Sequence, residues 1–273
     1  LKQQGKYDEA IIYFKEAKKR YAKDRRGYLY RKVKQELISC LYAKGAIKDT
    51  ANIIQEKLPL GINTKNSEFP HRVKNGQIIF SSLRSKEDCK DREEVYDKKY
   101  KTRLYHAKLT DTTSKLIDDL FLEEFNSGNG SFNLDSSKFY FSVCKELGFK
   151  YQCKIWVAEY HNGSWSKLDS LGEIINAKGS NTTMPFYTRL DQQEVLFFAS
   201  DRKGSVGGMD IWYTTRDKNS NSNDFSYPIN AGSKVNTAGD EITPSLDRNV
   251  LYFSSNWHQG LGGFDIFRVQ MVG

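Results

Sequence analysis

The sequence lacks any run of 18 or more apolar residues among its 273 positions. A helix needs about 20 such residues to cross a bilayer, so no membrane-spanning helix is predicted. Signatures of the G-x-S-x-G, H-E-x-x-H and P-loop types are also missing, and the four histidines are scattered over separate segments. We therefore expect no catalytic residues, no cofactor and no metal site.

Cysteine is scarce: the four residues at 40, 89, 144 and 153 are too few for a disulfide scaffold, and no C-x-x-C pair is present. Cys144 follows the strand-like run 139–143, and Cys153 precedes the run 154–157. The two could therefore face each other across a hairpin loop. A bridge there would imply an oxidising compartment such as a periplasm, and two free thiols are the alternative.

Charge is uneven, with a formal net charge of +8. The stretch 15–34 holds ten Lys or Arg against two acidic residues. Nucleic-acid binding would use such a patch with aromatics exposed beside it. Helical repeats, however, use aromatics as packing residues and basic residues as a solvated face, so we predict no nucleic-acid partner.

Residues 1–60 are helical in pattern, with small and aromatic residues at a spacing of three to four. This spacing resembles the tetratricopeptide repeat, and a generic amphipathic helical hairpin is the alternative. Two further helices are predicted over 28–45 and 46–58, with a break at Gly45. Because the first four residues read as a helix already under way, we expect the chain to be truncated there, with any signal peptide upstream. The repeat signature consists of Gly5, Tyr7, Ala10, Phe14 and Ala17.

From about residue 67 the pattern changes to short β-runs separated by turns. The segments 196–216 and 251–271 match each other at a separation of 55. Weaker copies begin at 137 and at 76, so four repeat units are predicted. Consecutive apolar residues at 195–198 indicate a strand that is buried on both faces, as in stacked propeller blades. The fold class is therefore α+β multidomain, with a short α-helical segment (1–60) followed by an incomplete all-β propeller of about four blades (67–273).

Both clear repeats contain a Gly-Gly-x-Asp loop. We expect the glycines to adopt φ > 0 and the aspartate to accept hydrogen bonds from loop amides, which explains the motif without a ligand. A calcium or substrate role for Asp201, Asp210 and Asp265 is the alternative. The loop motif comprises Gly207, Gly208, Asp210, Gly262, Gly263 and Asp265.

The strings YFSSN…GLGGFDIF and DEITPSLDRN resemble the TolB-type, WD-like propeller repeat. INAGSKVNTAGDE resembles the version in Bacteroidetes OmpA-family envelope proteins, which include a component of the type IX secretion system. In that family an OmpA-like peptidoglycan-binding domain follows the propeller, and none lies in this sequence. The resemblance implies a periplasmic protein associated with the outer membrane, with other envelope proteins as partners and peptidoglycan bound only through that further domain.

These features together predict a non-catalytic protein-binding scaffold. The alternatives are the propeller domain of a periplasmic hydrolase, or a propeller that senses a glycan or peptide. The carboxylate pairs at 118–119 and 123–124 are candidates for catalysis, but adjacent acids usually form a solvated face and point in different directions. A sensing propeller would expose rim aromatics such as Trp212, Trp257 and Tyr187, although Trp212 lies within a predicted strand.

Overall fold

The computed structural model describes residues 1–47, 56–74, 76–84, 101–217 and 224–271. A 3-10 helix at Lys2–Gln4 ends at Gly5, where φ is 74°. Helix α1 spans Tyr7–Arg20 and helix α2 spans Tyr28–Ala46. α2 ends at Ala46, one residue after the break predicted at Gly45. The helix predicted over 46–58 lies mostly outside the described residues.

The two helices are antiparallel and share a small core. Tyr7 and Ala10 of α1 are buried against Cys40 and Ala43 of α2, with Phe14 at the margin. Ala17 is half-buried one turn further on. Four of the signature residues thus lie on one partly or fully buried face of α1, as amphipathic spacing requires, whereas Gly5 is exposed in the turn before the helix. Their assignment to a tetratricopeptide repeat stays a prediction.

In the described ranges, fifteen strands form four antiparallel sheets, each a propeller blade. Two N-terminal helices followed by a four-bladed β-propeller confirm the predicted fold class. Blade 1 contains β1 (Glu68–Lys74), β2 (Gln77–Ser82), β3 (Arg103–Lys108) and β4 (Lys115–Leu116). Blade 2 contains β5 (Asn126–Phe132), β6 (Lys138–Leu147), β7 (Lys150–His161) and β8 (Ser164–Ser170). Blade 3 contains β9 (Thr182–Leu190), β10 (Gln193–Ser200), β11 (Asp210–Asp217) and β12 (Ile229–Asn230). Blade 4 contains β13 (Glu241–Asp247), β14 (Val250–Ser255) and β15 (Asp265–Gln270).

The second strand of blade 3, β10, is buried on both faces, as its apolar run predicted. Leu196, Phe197 and Phe198 are each fully buried. Leu196 and Phe198 belong to a core that also contains Tyr140 of β6 and Trp212 of β11. An equivalent core between blades 1 and 2 is built from Leu104, Leu120, Phe132, Phe139 and Phe141. Apolar burial between neighbouring blades is therefore the main force that stacks them.

The first strands of blades 2, 3 and 4 each carry a bulge at the same place. The register shifts at Asn129, Met184 and Thr243, and φ is positive at all three residues (46°, 54° and 53°). Proline follows Met184 and Thr243, and the first strand of a blade tolerates it because the bulge already interrupts pairing there.

The chain divides into two compact units by its internal contacts. One contains Leu1–Ile54, Gly204–Ile211 and Asn230–Gly273, and the other contains Gln55–Lys203 and Trp212–Ile229. In the first unit α2 packs on blade 4: the Tyr28 and Trp257 rings lie 5.4 Å apart, and Lys32 Nζ donates to the Asn256 carbonyl at 2.8 Å. The boundaries expected at residues 60 and 67 stay a prediction. None of the helices in the described ranges has the length and apolar content to cross a membrane.

Candidate functional site

A cleft of about 550 Å³ lies between blades 1 and 2, within one compact unit. Blade 1 contributes side chains from β2, β3 and β4, and blade 2 contributes side chains from β5, β7 and β8. The 3-10 helix Asp118–Leu120 connects the two blades at this point. The residues that line the cleft include Gln77, Ile79, His106, Leu116, Ile117, Asp118, Asp119, Phe132, Ser136, Tyr160, Gly163 and Trp165.

One wall of the cleft is aromatic. Tyr160 lies one residue before the end of β7 and Trp165 one residue after the start of β8, and the two residues pair across the hairpin. Their ring centroids are 4.9 Å apart, and the indole also lies 5.8 Å from the buried ring of Phe132. Phe132 and Phe139 hold the indole from the core side, while Tyr160 remains 42% exposed. The wall is thus an apolar surface with a fixed backing and an accessible front.

Carboxylates stand beside this wall. Asp119 Oδ2 accepts a hydrogen bond from the Trp165 backbone N–H at 2.9 Å, which ties the 3-10 helix to the β7–β8 hairpin. Asp118 is exposed beside it. Hydrogen bonds from Ser137 hold the pKa of nearby Asp135 below its usual range, and they shape the turn that carries Ser136. The opposite wall presents the polar side chains of Gln77 and His106.

Such a combination suits a ligand with an apolar face and a hydroxylated or amide-bearing rim. Concave sites that pair aromatic side chains with a few polar groups are the usual form of a small-ligand site. Glu123 and Glu124, the second acidic pair in the sequence, are exposed and do not line the cleft. Within the described ranges, no group of three or more His, Cys, Asp or Glu is placed to hold a metal ion.

The Gly-Gly-x-Asp loop of blade 3 is closed by its aspartate. Asp210 accepts hydrogen bonds from the backbone N–H of Val206 at 2.7 Å and of Gly207 at 3.2 Å, and from Asn230 Nδ2 at 2.7 Å. The φ > 0 explanation for the glycines is wrong, because none of the four lies in the left-handed region. A Cβ on Gly207 would instead stand 2.3 Å from the Gly239 carbonyl, so close approach of a later loop requires the glycine.

In blade 4 the same motif makes fewer contacts. Asp265 Oδ2 accepts a hydrogen bond from Gly262 N at 3.1 Å. A Cβ on Gly262 would meet nothing within 4 Å, and one on Gly263 would meet the Gln3 side chain.

The remaining residues singled out from the sequence lie away from the cleft. Cys144 and Cys153 are paired across β6 and β7 and joined by a disulfide with an S–S distance of 2.04 Å. The strands run on past them to a turn at 148–149, so the loop expected between the cysteines is in fact mostly strand. Tyr187 and Trp212 are core residues, and half-buried Trp257 lies against Tyr28. Asp201 accepts hydrogen bonds from Asn181.

Comparisons with known proteins bear on the fold. No family model matches the sequence, and no curated protein matches it. A Bacillus subtilis levansucrase structure has a TM-score of 0.48 at 11% identity over 84% of this chain and 74% of its own. A thermostable family-43 glycoside hydrolase scores 0.43 at 10% identity over 73% of this chain and 70% of its own. A puromycin-hydrolyzing peptidase of Mycobacterium tuberculosis scores 0.43 at 12% identity over 76% of this chain, which spans 29% of the peptidase.

These comparisons contradict the expectation of a non-catalytic scaffold. The solved propellers that this chain resembles bear the names of enzymes, and the expectation that the chain is not an enzyme is corrected accordingly. Missing sequence signatures do not exclude catalysis. Catalytic groups can be assembled from several loops of a fold without forming a local motif. At these identities the likeness concerns the fold alone.

Proposed function

We propose that this chain is the propeller of a carbohydrate-active hydrolase and that the cleft between blades 1 and 2 binds a saccharide chain. The observation that carries the proposal is the Tyr160–Trp165 pair, an aromatic wall that faces the cleft directly beside Asp118 and Asp119. Aromatic rings offer a large apolar contact area at a small cost in side-chain entropy, and carboxylates accept strong hydrogen bonds.

A sugar ring matches both halves of this arrangement. Its C–H face is flat and apolar, so it stacks on the indole, while its hydroxyls project sideways towards carboxylate and amide groups. Asp118 lines the cleft together with the indole of Trp165, and blade 1 contributes the polar side chains of Gln77 and His106. An extended peptide would instead need rows of unpaired backbone groups along the cleft wall.

Asp119 has a positioning role in this scheme. Its carboxylate holds the Trp165 backbone through the 2.9 Å hydrogen bond and so fixes the β7–β8 hairpin that carries both aromatic residues. The exposed carboxylate of Asp118 is the group that accepts hydrogen bonds from sugar hydroxyls. A hydrolytic step would need two carboxyl groups, about 5–9.5 Å apart, on either side of one glycosidic bond. Because Asp119 is bonded to the Trp165 backbone, we assign Asp118 to binding.

Affinity electrophoresis through gels containing single neutral polysaccharides tests the proposal. The panel includes arabinan, xylan, levan and a soluble β-glucan. At least one polysaccharide should retard the wild-type chain, and Trp165→Ala should abolish the retardation. The matched control is Trp257→Ala, which removes another half-buried indole outside the cleft and should be retarded like the wild type. No retardation on any gel, or equal retardation of the Trp165→Ala variant, contradicts the proposal.

We further propose an extracytoplasmic location, at the periplasmic side of an outer membrane and among other envelope proteins. The Cys144–Cys153 bond supports this, because disulfides persist in oxidising compartments. The finer resemblance to OmpA-family proteins, contact with peptidoglycan through a further domain, and the absence of a nucleic-acid partner stay predictions. Alkylation of thiols in intact cells tests the location: Cys144 and Cys153 should resist alkylation unless a reductant is added, and their alkylation without reductant would contradict it.

A further inference from the structure

The hairpin that joins β6 and β7 projects from blade 2. Its two strands remain paired out to Leu147 and Lys150. Every residue from 145 to 151 is exposed, although a strand of a packed sheet buries at least one of its two faces. The corresponding connections in blades 3 and 4, at 201–209 and 256–264, are loops. We call residues 145–151 the hairpin tip.

The hairpin tip carries large apolar side chains in contact with water. Phe149 is 107% exposed, Leu147 is 52% exposed and Tyr151 is 55% exposed. The disulfide between Cys144 and Cys153 closes the hairpin directly behind the tip and so holds it in one shape. Exposing these side chains forfeits their free energy of burial, and a preformed tip loses little conformational entropy when a partner covers it. The tip is therefore suited to burial by a partner.

Charge is segregated between the two faces of this hairpin. Successive residues of a strand point to opposite faces, and residues that pair across strands share a face. The register therefore places three exposed lysines on the same face as Leu147, and it places Glu146 on the other face with Tyr151. Within the described strands β6 and β7, no acidic residue shares the face of the lysines. This lysine face comprises Lys145, Lys150 and Lys154.

The hairpin tip lies at the opposite end of β7 from the cleft. Lys150 begins this strand, and Tyr160, which lines the cleft, follows near its other end. At a rise of about 3.3 Å per residue, the two residues lie roughly 33 Å apart. Both ends belong to the same compact unit. A surface that covers the tip therefore leaves the cleft open to solvent.

We propose that the hairpin tip binds the surface of a lipid bilayer that carries anionic headgroups. Phe149 and Leu147 insert between the acyl chains, and the lysine face contacts the lipid phosphates. Aromatic side chains favour the boundary between headgroups and acyl chains, and lysines close to such a surface are attracted to anionic lipids. The proposal does not rest on saccharide binding, since the cleft lies at the far end of β7.

The size of the tip favours a bilayer over a protein partner. A stable protein interface usually takes about 20–30 residues from each side, and the tip is a short hairpin turn. Peripheral attachment to a bilayer instead combines a small inserted apolar element with electrostatic attraction to anionic lipids. The exposed ring of Phe149 and the lysine face supply these two contributions side by side.

Co-sedimentation of the full chain with lipid vesicles tests the proposal. One set of vesicles contains phosphatidylethanolamine and phosphatidylglycerol, and the other contains phosphatidylcholine alone. The chain should bind the anionic vesicles about tenfold or more tightly than the neutral ones. Phe149→Asp should weaken that binding about tenfold or more, because it places a charge where a ring inserts. Tyr227→Asp is the matched control, since Tyr227 is 79% exposed between β11 and β12, and should leave binding unchanged.

Two triple variants of equal net charge separate the hairpin from the charge of the whole chain. Changing all three residues of the lysine face to Gln should weaken binding to the anionic vesicles about tenfold or more. The control changes Lys15, Lys19 and Lys23 to Gln, which removes the same charge from the basic stretch 15–34, and should alter binding little. Equal losses in the two triple variants would overturn the proposal, because net charge alone would then explain binding.

Phe149→Trp reports on insertion in a variant that should still bind. Brominated acyl chains should quench its fluorescence more strongly than that of the wild type, whose tryptophans all lie outside the tip. The proposal is overturned if the wild type binds neither kind of vesicle or both equally, if Tyr227→Asp loses as much binding as Phe149→Asp, or if the added indole escapes quenching. It is also overturned if the chain forms a dimer that Phe149→Asp dissociates, since the tip would then bind a second copy.

Discussion

Asn236 and Ile211 form a two-way hydrogen-bonded pair, in which the carboxamide replaces a neighbouring strand for one residue. Asn236 is 2% exposed and Ile211 is fully buried, so neither partner can exchange the pair for water. The equivalent pair of Asn176 and Ile155 fixes the linker after blade 2. Register along this propeller is therefore set by single asparagines between blades as well as by the strands.

Replacing such an asparagine should cost more than a typical surface change. Asn236→Ala leaves the buried N–H of Ile211 without its acceptor and removes one hydrogen bond to the Ile211 carbonyl. We expect the free energy of unfolding to fall by about 2–3 kcal/mol. Asn176→Ala should have a similar effect. Lys178→Ala, an exposed change in the linker after blade 2, should alter the free energy of unfolding little. Urea unfolding checks this, and equal midpoints for Asn236→Ala and Lys178→Ala would contradict it.

Arg202 should not be replaceable by lysine. Its guanidinium lies over the Phe198 and Trp212 rings at 4.8 and 5.4 Å and donates to the carbonyls of Ile174 and Ile175. Burial lowers the pKa of Arg202 to about 10. A lysine cannot bond both carbonyls in the plane of the guanidinium, so Arg202→Lys should lower the free energy of unfolding by about 2 kcal/mol. Arg189→Lys, on the exposed side of β9, is the control, and equal thermal midpoints for the two variants would contradict this account.

Stability in acid should depend on Glu36. Burial raises the pKa of this carboxyl, but hydrogen bonds and the charges of Lys2 and Lys32 outweigh burial and lower it below its usual value of 4.5. A lowered pKa in the folded state adds stability above pH 4.5 that is lost as pH falls through the folded value. Wild type should therefore exceed Glu36→Gln in urea midpoint at pH 7, and the gap should shrink as pH falls below 4.5. Glu16→Gln, on the solvent side of α1, should show little gap at either pH. A difference in urea midpoint between the wild type and Glu36→Gln that widens in acid would contradict a lowered pKa of Glu36.

The disulfide should stabilise blade 2 modestly. Cys144 and Cys153 are nine residues apart and already face each other within the β6–β7 hairpin, so the bond constrains a short loop. We expect the free energy of unfolding of the double variant Cys144→Ser and Cys153→Ser to be lower by roughly 1–2 kcal/mol. Reductant should lower the free energy of unfolding of the wild type by the same amount and should leave that of the double variant unchanged. An unchanged wild type in reductant would show that the bond does not form in solution.

Much of the fold could be predicted because it repeats. The match between 196–216 and 251–271, at a separation of 55 residues, placed β10, β11, β14 and β15, and the apolar run at 195–198 identified the buried second strand of blade 3. Residues 62–68 and 235–241 also match each other, since both carry Asn-Thr followed four residues later by Glu. In both segments a glutamate accepts a hydrogen bond from a threonine and from a serine of the next strand, through Glu68 and Glu241.

The cleft could not be predicted because its residues are far apart in the sequence. Asp119 and the Trp165 backbone are joined by a hydrogen bond across 46 residues, and Gln77 lies further away still. Tyr160 and Trp165 look like ordinary strand residues, since aromatics are common in strands. The acidic pair at 118–119 was visible, but the aromatic wall beside it requires knowledge of how blades 1 and 2 stack.

Fluorine NMR of the chain labelled with 5-fluorotryptophan tests the central claim, saccharide binding in the cleft, most directly. The sequence has four tryptophans, at 156, 165, 212 and 257, so single Trp→Phe variants assign every resonance. The ligand is an oligosaccharide cut from the polysaccharide that retards the chain in affinity electrophoresis. On titration with it, we predict a saturable shift of the Trp165 resonance, while the resonances of Trp212 and Trp257 stay unchanged. A saturable shift at Trp257 with Trp165 unmoved, or no shift at any indole, would contradict the account.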